Sequence, residues 1–566
     1  MRKKTLGAFL IIFLAGAVIR ALDVGRRADG RIRESWREAD YAGLARNFHR
    51  EGMDIRYPRI DWRGDEQGFA EMEFPVVPWA TALLYRAFGY NEAFGRLISY
   101  VFSLLTMLFF FGLARRFLPQ EGALFAAAFL ALAPLAVRVS NALQPESTML
   151  FFYVGAVAAF LRWLDSGSFL CYGFALAATA AAILVKAPAA HIGFLFVLLI
   201  IDRKGWKELF RPRTIAFGIL ALLPALFWML HARGFWVRYG LSLGVSNEYH
   251  WIGLDFLSHP RWLAEALFRL VRIDGQFVWT LPGLFLAAWI ARPYLKNRKI
   301  RMPFYWLAAI GAYYLLAIRT TADYWATYYH VVSVFPAALV LGLGFSALLE
   351  RFGPPKRIGL VVSITFALGL GFVAARAAFP VVLPGPLLMI PAVVAVAGML
   401  AVGLGIFMPR KRTVVTSAAL AACLSIFPLL GYQTAWDLHP SGYVPLFRCA
   451  MAFKPLIPEG ALILASGGSR QDDTGKPVAY NASYFFLWLD RKGFNLPQDD
   501  QTLEAVERFI RRGARYLVLE KQFLLARSGF EEILLRTYPR LAECKEADLF
   551  DLNSGLPASS SRGAER

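Results

Sequence analysis

The sequence predicts a polytopic α-helical membrane protein of about thirteen transmembrane helices, ending in a small α/β extracytoplasmic domain. Composition is the first reason. Of 566 residues, 57% are hydrophobic and 18% charged, and mean hydropathy is +0.46. Soluble proteins carry about 25% charged residues. Length is the second: apolar runs of roughly 15–23 residues recur, close to the roughly 20 that span hydrocarbon. The third is where the basic residues fall, at almost every second boundary between runs.

The runs are 6–23, 97–114, 121–140, 147–164, 169–186, 188–202, 214–231, 276–291, 303–318, 331–349, 357–379, 386–408 and 413–431. The fifth and sixth meet at Lys186-Ala187-Pro188, either a tight hairpin or a broken helix. With the N-terminus inside, basic groups from Arg2/Lys3/Lys4 to Arg410/Lys411/Arg412 fall on the cytoplasmic side, as the positive-inside rule requires. The net charge of +20 thus has a home on loops, and nucleic acid is not an expected partner. The reading is a multi-pass protein of the cytoplasmic (inner) membrane, N-terminus cytoplasmic, C-terminal domain periplasmic or extracellular. Arg20 and Asp23 follow the first run where a small-residue cleavage site would stand, so that run is an uncleaved anchor.

Residues 1–435 form the membrane module, including an outer loop at 24–96; 436–556 form the outer α/β domain; 557–566 are a disordered tail. In the loop, Tyr41, Leu44, Ala45 and Phe48 recur at helical spacing, a short amphipathic helix over 40–50 that would lie on the membrane surface. A second helix runs from Val76 to Phe88. In the domain, 461–465 and 516–519 read as strands, and 480–490, 503–512 and 530–537 as helices. Cys449 and Cys544 can pair, but two cysteines set no framework. Asn481-Ala-Ser483 fits a glycosylation acceptor, a pattern common by chance.

Topology puts three acids on the outer face: Asp40 after the first run, Glu73 ahead of the second loop helix, and Glu146 in the short turn between the third and fourth runs. Carboxylates beside apolar walls are costly and mark function. Lys186 and Arg319 lie at the same level, suited to a phosphate leaving group. Each has a plainer use. An acid serves the first turn of a helix, a lysine snorkels, and Tyr328 and Tyr329 serve as interface anchors. His49, His250 and His330 are weak candidates singly.

The stretches Glu38-Ala-Asp40-Tyr41, Glu73-Phe-Pro75-Val-Val-Pro78, Gln144-Pro-Glu146, Leu184-Val-Lys186-Ala-Pro188 and Tyr328-Tyr329 occur in one order over most of the first 345 residues. In this the chain resembles the GT-C membrane glycosyltransferases, nearest the protein O-mannosyltransferases and lipid A aminoarabinose transferases. The resemblance implies that Asp40 is the catalytic acid–base group and Glu146 a second acid that orients the acceptor or a metal. It also implies that Lys186, with the Tyr328–Tyr329 pair, lies near the lipid phosphate. Two departures stand out: Asp40-Tyr41 where the mannosyltransferases have Asp-Glu, and Glu73-Phe-Pro75 where the aminoarabinose transferases have Lys-Pro-Pro.

The expected activity is inverting transfer of a sugar from a polyprenyl-phosphate donor to a hydroxyl of a glycolipid, glycan or protein. Asp40 is catalytic; Glu146 and Glu73 orient the acceptor or a metal; Lys186, Arg319, Tyr328 and Tyr329 hold the donor phosphate. No cofactor is certain; a divalent cation on Asp40 and Glu146 is possible. The alternatives are a polyprenyl-lipid or solute transporter and a non-catalytic membrane assembly factor.

Overall fold

The computed structural model describes residues 3–244, 260–280, 283, 300–352, 356–378, 412–439, 441–471, 475, 477–524 and 529–553. The run at 386–408, most of 276–291 and the tail at 557–566 lie outside the described residues. The chain divides into two compact units: Met1–Gly25, Arg96–Phe227 and Trp251–His439 form the first, and Arg26–Gly95, Trp228–His250 and Pro440–Arg566 the second.

The first unit is helical. Among the described residues, Lys4–Ala21, Ala93–Phe117, Glu146–Ser166, Pro212–Tyr239 and Tyr324–Ala347 are long and apolar enough to cross a membrane. Phe169–Val185, Met302–Leu316 and Val362–Ala377 are shorter apolar helices. The protein is therefore a multi-pass membrane protein, as predicted. Lys186 is extended between the Phe169–Val185 helix and a 3-10 turn, Ala187–His191, which leads into the Ile192–Lys204 helix.

The run expected as one helix over 121–140 is two, Gln120–Leu132 and Pro134–Ser140, bent by 55°. Pro134 has no N–H, and it drives Ala133 into extended backbone (φ −62°, ψ 119°). The carbonyls this break leaves open are satisfied from other helices. Arg20 donates to Leu130 O and to Ala131 O, each at 2.9 Å, and Thr434 Oγ1 donates to Leu132 O at 2.6 Å. Gln120–Leu132 also packs closely on Val334–Phe352, because a Cβ on Gly122 would collide with the Gly342 carbonyl.

The second unit holds a five-stranded sheet: β1 Leu462–Ser466, β2 Gly493–Leu496, β3 Ala514–Glu520, β4 Arg540–Glu543 and β5 Ala547–Asp551, in the order β2-β1-β3-β5-β4. β1 is parallel to β2 and β3, while β5 is antiparallel to β3 and β4. Leu464, Leu517, Leu519 and Phe550 pack with Val506 and Ile510 of the amphipathic Leu503–Arg511 helix. Cys449 and Cys544 form a disulfide.

The first loop helix is longer than expected, Ser35–Glu51, and it does not lie on a surface. Twelve of its 17 residues are buried, and it packs against the helices Val76–Phe88 and Ser483–Leu489. Its polar face is buried because it finds partners there. Arg46 pairs with Asp61 at 2.8 Å and donates to Leu487 O at 3.0 Å, and Asn47 donates to Asp61 Oδ1 at 2.9 Å.

Candidate active site

Asp40 sits in the middle of the Ser35–Glu51 helix, in the second unit. Its Oδ1 is buried and has no hydrogen-bond partner among the described residues. Burial pushes the carboxyl up to about 7; nearby Ser483, Trp62 and Arg37 favour the charged form without reversing that, and Asp61 adds to the rise. A carboxyl titrating near neutrality is matched to moving protons at ordinary pH. Ser483, the last position of the glycosylation pattern, is buried with its hydroxyl on Trp36 O at 3.0 Å, so it is part of the packing around Asp40.

Tyr41, next to Asp40, donates its phenol to Glu73 Oε2 at 2.9 Å. Position 41 thus has a tyrosine that binds a carboxylate from the next element. Glu71, two residues before Glu73, was not singled out from the sequence. It is buried, accepts from Ser242 Oγ at 2.9 Å, and its backbone pairs with 241–243. That pairing fixes the strand-like stretch ahead of the Val76–Phe88 helix.

The first unit brings four of the sequence candidates together. Lys186 Nζ donates to Glu146 Oε1 at 2.7 Å, with both side chains almost wholly buried. The ammonium also stands 5.1 Å from the ring centres of both Tyr328 and Tyr329, within cation–π range. Glu146 opens the Glu146–Ser166 helix, where an acid suits the positive end of the helix dipole. The helix-start use and the ion-pair use of Glu146 therefore coincide, and its nearest role is to hold Lys186. Arg319 is half-buried on the four-residue helix Ile318–Thr321, a few residues before the tyrosine pair.

The tyrosine segment is clamped on both sides. Arg138 donates from Nη1 to Thr327 Oγ1 at 2.7 Å and pairs bidentately with Asp437 at 2.6 and 2.7 Å. His330, a weak candidate from sequence, contacts Asp274 Oδ1 and Thr321 O, each at 2.6 Å. His250 lies outside the described residues. Arg138 is not among the residues singled out from the sequence, and Arg20 is read there only as an obstacle to cleavage, yet each is a charge inside an apolar run, a signal of a structural or functional role.

Glu146 gives its Oε1 to Lys186, and Asp40 Oδ1 is buried with no hydrogen-bond partner among the described residues; both carboxylates are oxygen ligands of the kind a divalent cation takes. Among the described residues the one three-residue group with ligand spacing is Cys449, Cys544 and Glu546, and its sulfurs are bonded to each other.

The family described as dolichyl-phosphate-mannose-protein mannosyltransferase matches residues 73–228. Among curated proteins, none matches the chain by sequence. Two solved structures are similar in fold. ArnT from Cupriavidus metallidurans bound to undecaprenyl phosphate is 18% identical with a TM-score of 0.56, over 97% of this chain and 98% of that one. The archaeal oligosaccharyltransferase AglB from Archaeoglobus fulgidus, in complex with an inhibitory peptide and a dolichol-phosphate, is 13% identical with a TM-score of 0.54, over 92% and 69%. The chain has the fold of the GT-C membrane glycosyltransferases and resembles the branch that contains the protein O-mannosyltransferases and lipid A aminoarabinose transferases.

Proposed function

We propose that the protein is an inverting glycosyltransferase. It moves a sugar from a polyprenyl-phosphate donor to a hydroxyl of a glycolipid, glycan or protein at the outer face of the cytoplasmic membrane. The observation that carries the reading is Asp40, a half-buried residue whose Oδ1 is buried with no hydrogen-bond partner among the described residues and whose carboxyl is pushed up to about 7. In the step, the acceptor oxygen bonds to the anomeric carbon as the bond from that carbon to the phosphate breaks, through an oxocarbenium-like transition state. The hydroxyl proton passes to Asp40, and the electron pair leaves on the phosphate. Lys186 and Arg319 stabilise the charge of that phosphate, and Tyr328 and Tyr329 shape the cationic site. Glu73, tied to Tyr41, orients the acceptor, while Glu146 holds Lys186 in place.

The lipid-phosphate donor is supported by the two similar structures, one bound to undecaprenyl phosphate and the other in complex with a dolichol-phosphate. The outer location of the C-terminal unit is supported by its disulfide, since such bonds persist in oxidising compartments. The cytoplasmic N-terminus is supported by the placing of basic residues. A divalent cation held by Asp40 and Glu146 stays in the proposal; loss of activity on chelation and recovery with Mg²⁺ or Mn²⁺ would support it, and no step is routed through it. The deciding experiment supplies a labelled polyprenyl-phosphate sugar to the purified protein with an extract of envelope acceptors. Wild-type protein should transfer label, and Asp40→Asn should lower transfer by about 10²–10⁴-fold. Equal transfer by the two proteins rejects the assignment.

A further inference from the structure

The second unit contains a cavity of about 460 Å³ remote from Asp40 along the same helix. Glu51, the last residue of the Ser35–Glu51 helix, lines it. Glu51 lies eleven positions beyond Asp40, roughly 16 Å along the helix axis. Three cations gather on Glu51: Arg63 at 2.6 Å, Lys492 at 2.8 Å and Arg59 at 3.2 Å. Burial alone would raise its carboxyl; Arg63 and Lys492 outweigh that and hold it down at about 2. Arg63 is itself buried, with one nitrogen on Gln67 O at 2.7 Å, yet its Nε has no hydrogen-bond partner among the described residues. Gly68 makes room for it, since a Cβ there would collide with the Arg63 side chain.

The lining sets three cations against three acids, because Asp65 and Glu66 join Glu51. Gln67 and Tyr239 complete it. A charge-balanced wall with interleaved donors and acceptors does not favour a strong anion, and a wall this polar does not favour an apolar ligand. It does suit hydroxyl groups, each of which donates and accepts. The volume lies within the range of small-molecule sites.

We infer that this cavity is a recognition subsite for an uncharged oligosaccharide, holding a part of the acceptor distant from the hydroxyl that reacts. The inference rests on the proposed transfer reaction and narrows the acceptor to a glycan of several residues.

Binding is measured without donor, so the site and the reaction can fail separately. The full-length protein is placed in lipid nanodiscs, which avoids sugar-headed detergent, and probed by saturation-transfer NMR with maltose, chitobiose and inorganic phosphate. The expected result is signal from a disaccharide and none from phosphate. Lys492→Ala and Gln67→Ala, both at accessible positions, should weaken disaccharide binding about tenfold with an unchanged thermal midpoint. No disaccharide signal from the wild type, preference for phosphate, or unaltered binding in both variants overturns the inference. If disaccharide binding holds while Asp40→Asn still transfers label, the transfer reading falls and the subsite stands. If transfer needs Asp40 but no disaccharide binds, the subsite falls alone.

Discussion

Asp40 stabilises catalysis and burdens the fold through the same property. As a proton acceptor it must be ionised, so kcat/KM should rise with pH through about 7 and level off above. Its effect on stability runs the other way. Because the folded pKa is raised above the unfolded value near 3.9, the folded state holds the proton more tightly, and stability falls as pH rises from about 4 to 7. Asp40→Asn removes that cost. Its thermal midpoint should therefore exceed the wild type's at pH 8, and the gain should shrink toward pH 5. A variant equally inactive but less stable at pH 8 would mean that Asp40 is a packing residue. Lys186 needs a different design, because its partner Glu146 is buried with it. Lys186→Ala alone strands a carboxylate and should cost about 3–5 kcal/mol. The double variant Lys186→Ala/Glu146→Ala should recover much of that stability while transfer stays lost. Recovery of both would make the pair structural. Asp40, Glu146 and Lys186 stand out as candidates in the sequence because each is a charge beside an apolar run. The Lys186–Glu146 pairing does not, since residues 40 positions apart meet only through helix packing.

Pro134 shows how a helix can be found and still drawn wrongly. The apolar run over 121–140 falls on two helices that together are long and apolar enough to cross a membrane, and the proline within it is visible. What hydropathy does not register is where the open carbonyls go. Arg20, from the first helix, takes two of them and also donates to Ser103 at 2.9 Å. An arginine that looked like evidence against signal-peptide cleavage is a cap for another helix. Arg20→Leu should leave the carbonyls of Leu130 and Ala131 unpaired, at a cost of about 1–3 kcal/mol each. Because the bend carries Arg138 toward Thr327 and the tyrosine segment, transfer should fall with it. Pro134→Ala/Arg20→Leu should be milder in stability than Arg20→Leu alone, since a continuous helix satisfies its own carbonyls. Thermal midpoints of the three variants in one detergent decide this, and no rescue by Pro134→Ala would show that Arg20 acts otherwise. The Ser35–Glu51 helix failed in the opposite sense. Its periodicity was correct, but a mixed polar face reads as solvated from sequence, and Arg46, Asn47 and Asp61 satisfy one another inside the unit.

In the C-terminal segment, the sequence showed β1 and β3, whose apolar runs are unmistakable, and missed β2, β4 and β5. β4 is mostly exposed and β2 is four residues long, so neither has enough apolar pattern to stand out. Their pairing comes from the sheet, which local sequence does not encode. The disulfide spans this region, joining Cys449 of the Tyr443–Phe453 helix to Cys544 beyond β4, 95 positions apart. On the chain-entropy account a loop of that length contributes about 4–5 kcal/mol, so reduction should lower the thermal midpoint of the second unit. The same bond reports the side of the membrane. If the C-terminal unit faces outward, intact spheroplasts treated with a membrane-impermeant phosphine should expose both thiols to an impermeant PEG-maleimide, adding two labels. Without the phosphine they should add none; Cys171, half-buried in an apolar helix, serves as the internal control through its response to a permeant maleimide. Thiols at 449 and 544 that label only after lysis, with no reductant present, would put this unit in the cytoplasm. Asp40, on a loop of the same unit, would then have no access to a donor at the outer face.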